Sequence, residues 1–138
     1  MRKDIASFLR SQHIFTLATL SSDEPYCASC FFTFDEEAIA LIFASDPETR
    51  HMREALAHPR CAGNVFLCTS DVAKIQGVQL LGEVHAADAR QRQLYFATFP
   101  MARTMRPEIW AFVIDWAKMT DNRLGFGHKI SWTRSDDR

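Results

Sequence analysis

The chain has 138 residues, 47% of them hydrophobic and 24% charged, with a formal net charge of −1; this is enough for one folded unit with a real core and excludes nucleic acid as the main partner, since neutralising phosphates needs a basic face. No stretch approaches the ~20 apolar residues that span a bilayer, and the charged start Met1-Arg2-Lys3-Asp4 has no apolar run behind it, so neither a membrane nor a secretory signal is expected. The expected location is the cytoplasm, with the 4 cysteines reduced.

Residues 4–11 read as a short helix with Ile5, Phe8 and Leu9 on one face. Residues 14–20 and 26–34 read as strands around a turn at 21–25, and residues 39–44 as a third strand after Asp35-Glu36-Glu37. A helix is expected over 47–58, with Ser45 and Asp46 as caps, Pro47 at its first position and Ser45 with Glu48 as a capping box. Residues 61–69 and 75–87 are strands. Asp88 caps a helix that runs to about Thr98, with Gln91 completing its box, and Pro100 ends it. Residues 101–107 form an irregular basic stretch. Residues 109–119 and 129–134 are the last strands, joined through Thr120-Asp121-Asn122 and Gly125-Phe126-Gly127. Seven strands interrupted by helices without regular alternation argue for a mainly β fold, a small antiparallel barrel with flanking helices, in one domain over residues 1–138. The 11 Phe residues imply a Phe-rich core or an apolar partner surface.

The segment Pro47-Glu48-Thr49-Arg50-His51 carries the most chemistry. A helix start leaves amide hydrogens unpaired and a partial positive charge. A hydroxyl, a permanent cation and a titratable donor at that start make a seat for a phosphate; the plainer alternative is a capped helix with a solvated face. Cys27 and Cys30, with Cys61 and Cys68, invite a metal or redox reading. Residues three apart on a strand point to opposite faces, so four core cysteines and no metal are expected. The five histidines show no zinc-helix spacing, and no nucleophile elbow accompanies them. Gly77 and Gly82 share a strand, which implies a bulge, a barrel corner or a close approach by a ligand. Gly125-Phe126-Gly127-His128-Lys129 reads as a ligand-contacting turn or a glycine-rich hairpin. Arg103 and Arg106 either guide an anionic substrate or form a solvated surface pair.

In order along the chain, residues 25–34, Ile42-Phe43-Ala44-Ser45, Thr49-Arg50-His51, Ala57-His58-Pro59 and Gln76-Gly77-Val78-Gln79-Leu80-Leu81-Gly82-Glu83-Val84 resemble the FMN-binding split barrels related to pyridoxamine 5'-phosphate oxidase. The similarity covers nearly the whole chain and is strongest to the YhbP-type, pyridoxamine 5'-phosphate oxidase-related branch, through Ser45-x-x-x-Thr49-Arg50-His51 and the segment from Lys118 to Lys129. The resemblance implies a six-stranded antiparallel split β-barrel that forms a homodimer with FMN at the subunit interface. By position, Ser45, Thr49, Arg50 and His51 would seat the FMN phosphate, and Gln76 or Gln79 would contact the isoalloxazine edge. Trp116, His128 and Lys129 would reach in from the second subunit, with Phe126, Trp116 and Trp132 walling the ring or the substrate space. Three departures stand out. The second strand, Ala28-Ser29-Cys30-Phe31-Phe32-Thr33, lacks the Arg and Lys that the oxidases use for the FMN phosphate. Phe99, not Arg, precedes Pro100. Leu124-Gly125-Phe126-Gly127 replaces a terminal Arg-x-His pair.

The expected function is therefore an FMN-dependent oxidoreductase acting on a small apolar or aromatic molecule other than pyridoxamine phosphate. The rival is a binding or sensing module on a barrel that has lost its flavin. A haem-handling protein is a third reading by analogy of fold.

Overall fold

Alternation along β1 (Ile14–Ser21) turns Phe15, Leu17 and Thr19 inward and Ile14, Thr16, Ala18 and Leu20 outward. The same two-residue period runs through β2 (Glu24–Asp35), β4 (Arg60–Phe66) and β5 (Gln76–Ala86) in this computed structural model, which describes residues 1–137. The five-residue β3 (Ala40–Ala44) is instead buried over Ala40, Leu41, Ile42 and Phe43, which marks a strand covered on both faces. Neighbouring strands follow the order β3-β2-β1-β4-β5-β6, with β6 spanning Ile109–Asp121, and every pair is antiparallel. A further pairing of β3 with β6, from Ala40 opposite Val113 to Ala44 opposite Ile109, closes the six strands into a ring. The last strand, β7 (Lys129–Thr133), adds only to the far half of β6, from Trp116 to Thr120.

The division of β6 into two halves is set by a bulge. Leu81 faces Trp116 but Gly82 faces Ile114, so Asp115 is the extra residue. A Cβ on Gly82 would stand 2.1 Å from the Val113 carbonyl oxygen, so only glycine fits. Sequence placed a bulge or bend at this glycine, and the close approach is that of the neighbouring strand. The freed Asp115 pairs with Arg60. Arg134 ties the same region together by donating to the carbonyls of Ala38, Ile39 and Ile114.

The barrel interior is built around phenylalanines. The Phe15 ring lies 5.8, 5.3 and 6.0 Å from those of Phe32, Phe43 and Phe112, in the edge and stacked geometries that aromatic pairs favour. Helix α1 (Lys3–Ser11) plugs one end with Ile5, Phe8 and Leu9. Helix α2 (Arg50–Ala57) packs Met52 and Ala55 onto the same core. Helix α3 (Ala89–Thr98) lies outside the ring, with Tyr95 over Ala40, Ile42, Ile109 and Ala111. Its expected Asp88–Gln91 capping box is present.

Two expectations fail here. The four cysteines are not all in the core: Cys30 and Cys61 are buried, but Cys27 and Cys68 are exposed, because β2 alternates faces and β4 ends at Phe66 rather than at residue 69. Trp132 is not a wall of any open space; it is 2% exposed and packs in the core. Among the described residues, no helix is long and apolar enough to cross a membrane.

Candidate functional site

The stretch between β3 and α2 is a turn rather than the first turn of the helix. Asp46 Oδ1 accepts from the Glu48 amide at 2.8 Å and the Asp46 carbonyl accepts from the Thr49 amide at 3.1 Å, an Asx turn with Pro47 at its corner. The helix starts at Arg50 with Thr49 as its cap. This corrects the expected Ser45 and Asp46 caps, the Ser45–Glu48 box and the first helical position for Pro47. Asp46 competes for its own backbone and so sets the turn that delays the helix.

Delay of the helix frees Ser45. Its backbone is fixed by the Ser45 amide donating to Glu108 O and the Trp110 indole donating to Ser45 O. Its hydroxyl meets His51 Nε2 at 2.7 Å, and Thr49 Oγ lies 3.4 Å from the same nitrogen. Burial holds the His51 ring below its ordinary pKa, against an opposing pull from Glu54. Among the described residues no acceptor meets the amides of Arg50 and His51. The Thr49 hydroxyl donates to the Asp46 carbonyl at 2.8 Å, which leaves the Ser45 hydroxyl, an imidazole and two free helix amides as a donor set that fits a phosphate monoester.

Arg50 belongs to a different arrangement. Its guanidinium bonds Glu24 at 2.6 Å and Glu54 at 2.9 Å and sits 4.1 Å from the Tyr26 ring centre. Bonding to Glu24 and then to Glu54 raises its pKa. Glu54 in turn accepts from the buried Thr19 hydroxyl at 2.7 Å. The arginine thus clamps α2 to the β1–β2 hairpin, with both of its carboxylate partners from this chain. The Glu54 partner is legible from the i, i+4 spacing; Glu24 is 26 residues away in sequence and is not.

Ser45 also lines a cavity of about 490 Å³ between the turn and a 3-10 segment, Pro100–Met105. Its walls include Ala44, Pro47, Tyr95 and Met105, and its charged groups are Asp46, Arg106 and Glu108. Arg106 is held at φ 49 immediately before Pro107, a left-handed backbone that non-glycine residues seldom adopt. From the sequence, Arg106 is either a guide for an anionic substrate or half of a solvated surface pair, and no local signal joins it to Ser45.

The remaining candidates lie at the other end of β6. Ala44 pairs with Ile109 and Gln79 with Lys118, so up to roughly 30 Å of strand separates them, at ~3.3 Å per residue. Gln79 is exposed and Gln76 half-buried. Trp116 is half-buried, and Phe126, His128 and Lys129 are exposed. Phe126 is 85% exposed between glycines at φ 126 and φ 74. Within one chain these residues do not meet Ser45, Thr49 and His51.

Between the two ends lies the outward surface of five strands, which α3 leaves bare. Its registers align Ser29, Thr16, Asn64, Gln79 and Lys118 in one polar row. On one side runs a row through Cys27, Ala18, Ala62, Leu81 and Trp116; on the other stand Phe31, Ile14 and Phe66, which are 59%, 52% and 59% exposed. Among the described residues no cluster of His, Cys, Asp or Glu could hold a metal ion.

Comparison with known proteins agrees with this architecture. A family model described as pyridoxamine 5'-phosphate oxidase matches residues 1–122. A UPF0306 protein of Yersinia pestis bv. Antiqua (strain Angola) is 40% identical over 134 residues, covering 94% of this chain and 91% of its own. A heme binding protein from Mycobacterium smegmatis superposes with a TM-score of 0.79 at 19% identity, over 98% of this chain and 60% of that one. A FAD-binding protein from Mesorhizobium loti superposes with a TM-score of 0.72 at 14% identity, over 86% of this chain and 94% of that one. At such identities the last two matches speak to the split-barrel fold alone.

Proposed function

The chain belongs to the pyridoxamine 5'-phosphate oxidase family and, within it, to the UPF0306 proteins, and from that premise we propose a flavin-dependent oxidoreductase that works as a homodimer with FMN between its two copies. The observation that carries this reading is the convergence of Ser45 Oγ, Thr49 Oγ and His51 Nε2 beside free amides, with Ser45 also lining the neighbouring cavity. A phosphate monoester suits those donors, and FMN ends in one. The FAD-binding description of the Mesorhizobium loti protein supports a flavin as the class of cofactor.

Bound flavin would supply the electron transfer. The chain's own part is to bind, orient and exclude water. Ser45 and His51 hold the phosphate end, and Thr49 caps the helix whose first amides face it. Ala44, Pro47, Tyr95 and Met105 give a small substrate an apolar wall, as in most small-molecule sites. The span along β6 is the reason for a second copy: Gln76, Gln79, Trp116, Phe126, His128 and Lys129 act on the flavin bound to the partner. The bare outward surface, with apolar rows on both sides of a polar one, is the face on which the two copies meet. Pyridoxamine phosphate is not the substrate in this reading, because Phe99 stands before Pro100 and no arginine follows at Leu124-Gly125-Phe126-Gly127. The protein acts in the cytoplasm, on a small molecule and without nucleic acid or membrane partners.

The visible spectrum of the purified protein, followed by FMN titration watched by flavin fluorescence, tests the reading. A yellow preparation, or one that takes up one FMN per chain, is expected. Arg50 favours a second reading, a flavin-free binding module: its charge is already met by Glu24 and Glu54, and the stretch from Ala28 to Thr33 has no cation. A colourless preparation without FMN affinity would establish that module and end the flavin reading. Because the Mycobacterium smegmatis neighbour is described as heme binding, the same spectrum is read for an intense haem band.

A further inference from the structure

A phosphate monoester near neutral pH carries close to two negative charges, and the hydroxyls and imidazole that converge at Ser45 include no permanent cation. Arg50 faces two carboxylates of its own chain. The cavity beside Ser45 adds Asp46 and Glu108 against the single cation Arg106. The group at the centre of the donor set that can gain charge is His51. We propose, resting on the flavin reading above, that His51 takes up a proton when the flavin phosphate binds, so that cofactor capture by this chain is proton-coupled.

The geometry makes this specific. His51 Nε2 is shared between Ser45 Oγ at 2.7 Å and Thr49 Oγ at 3.4 Å. The Thr49 hydroxyl donates to the Asp46 carbonyl at 2.8 Å, so its hydrogen is already committed. A protonated Nε2 donates a charge-assisted bond, which is roughly twice as strong as a neutral one. The balance is simple: one proton moves from buffer to the imidazole, no covalent bond changes, and the ion pair forms between imidazolium and phosphate.

The charged surroundings of the ring are few. On its own helix Glu54 favours the charged form and is shared with Arg50 and Thr19, and Arg53 is a further cation that acts on Glu54. On the preceding turn Asp46 bonds the Glu48 amide. The strand that α2 packs against, β1, carries no charged residue. Among the other strands it touches, β2 brings Glu24, paired with Arg50, and β5 brings Glu83, paired with His85. Across the cavity are Arg106 and Glu108. Without ligand the ring is neutral near pH 7, since burial lowers its pKa below the ordinary value near 6.5. A bound dianion reverses that preference, so affinity for FMN falls as pH rises above neutrality, up to tenfold per pH unit in the limit of full coupling.

The test is calorimetric titration of the intact protein with FMN at about pH 7.5, where the phosphate itself is mostly doubly ionised, in several buffers of different ionisation enthalpy. The slope of observed enthalpy against buffer ionisation enthalpy counts protons taken up. A slope near one is expected for the wild type and for Arg50→Gln, and a slope near zero for His51→Gln. FMN binding by the wild type with a slope near zero overturns the proton uptake and leaves the flavin reading standing. An undiminished slope in a folded His51→Gln overturns the assignment to His51. Absence of any FMN binding overturns both. Should the variants fail to fold, nitrogen NMR of the wild-type imidazoles without and with FMN makes the assignment: a protonated His51 ring in the complex is expected, and a ring that stays neutral overturns it.

Discussion

Gly82 shows how one residue can set the shape of a barrel. Opposite it, β6 holds the extra Asp115, and the Val113 carbonyl occupies the space where a side chain would begin. Backbone cannot yield as the end of a flexible side chain does, so Gly82→Ala is expected to destabilise by about 3 kcal/mol or more, at the upper end for overpacking. Urea unfolding monitored by circular dichroism measures this, and a loss under 1 kcal/mol would mean that the strands separate easily at the bulge. Sequence pointed to this glycine because an isolated glycine inside a strand pattern has few other uses. It could not point to the fate of Arg50, since the Glu24 carboxylate and Tyr26 ring arrive from the far strand of a hairpin. His51 was named among the phosphate residues, but its link to Ser45 needed the turn at Pro47.

Helices α2 and α3 differ in how well local signals located them. For α3 the Asp88 cap, the Gln91 box and the Pro100 stop all act within one turn of chain, and the helix lies where they put it. For α2 two local signals competed, and the Asx turn of Asp46 displaced the cap to Thr49. What holds α3 to the barrel is long-range: Arg90 and Gln91 bond the 1% exposed Asp35 at the end of β2. Burial pushes the Asp35 carboxyl up, but the Arg90 and Gln91 bonds more than offset it and leave it below its ordinary value. A lowered native pKa contributes stability that is present above the unfolded value near 4 and is lost as pH falls through the native one. Wild-type stability should therefore decline below about pH 4. In Asp35→Asn that part of the acid decline should be missing, while stability at pH 7 drops by about 1.5 to 3 kcal/mol, the range for hydrogen bonds to a charged group, since the Arg90 left behind is 44% exposed. Unfolding midpoints across pH 3 to 7, a range chosen to bracket the carboxylate titration, would show whether the two curves converge in acid; parallel curves would deny Asp35 this role.

For the molecule as a whole, the open face of β2, β1, β4 and β5 is met from within the chain at its edge, where Phe99 lies 6.0 Å from Phe31, and is otherwise exposed. Phe31, Ile14 and Phe66 stand on it half exposed or more, more apolar surface than a solitary small domain usually leaves in water. Phe66→Asp should convert the expected dimer into a monomer without unfolding it, because the side chain already points outward; light scattering at micromolar concentration would read the mass, and an unchanged dimer would move the interface elsewhere. The 11 Phe residues turn out to serve both a core and such a surface, through Phe15, Phe32, Phe43 and Phe112 inside and Phe31, Phe66 and Phe126 outside. Sequence by itself determined the strands, both ends of α3 and the split-barrel family, and it marked Gly77 and Gly82 as candidates for a bulge, because two-residue alternation, caps and glycines act through neighbours along the chain. Tertiary structure alone decided that Arg50 is a clamp, that Trp132 is core, and that Ser45 and His51 lie at one end of β6 while Gln79 and Lys129 lie at the other. Those outcomes depend on which strand lies beside which, and register between distant segments is set by packing rather than by any local signal.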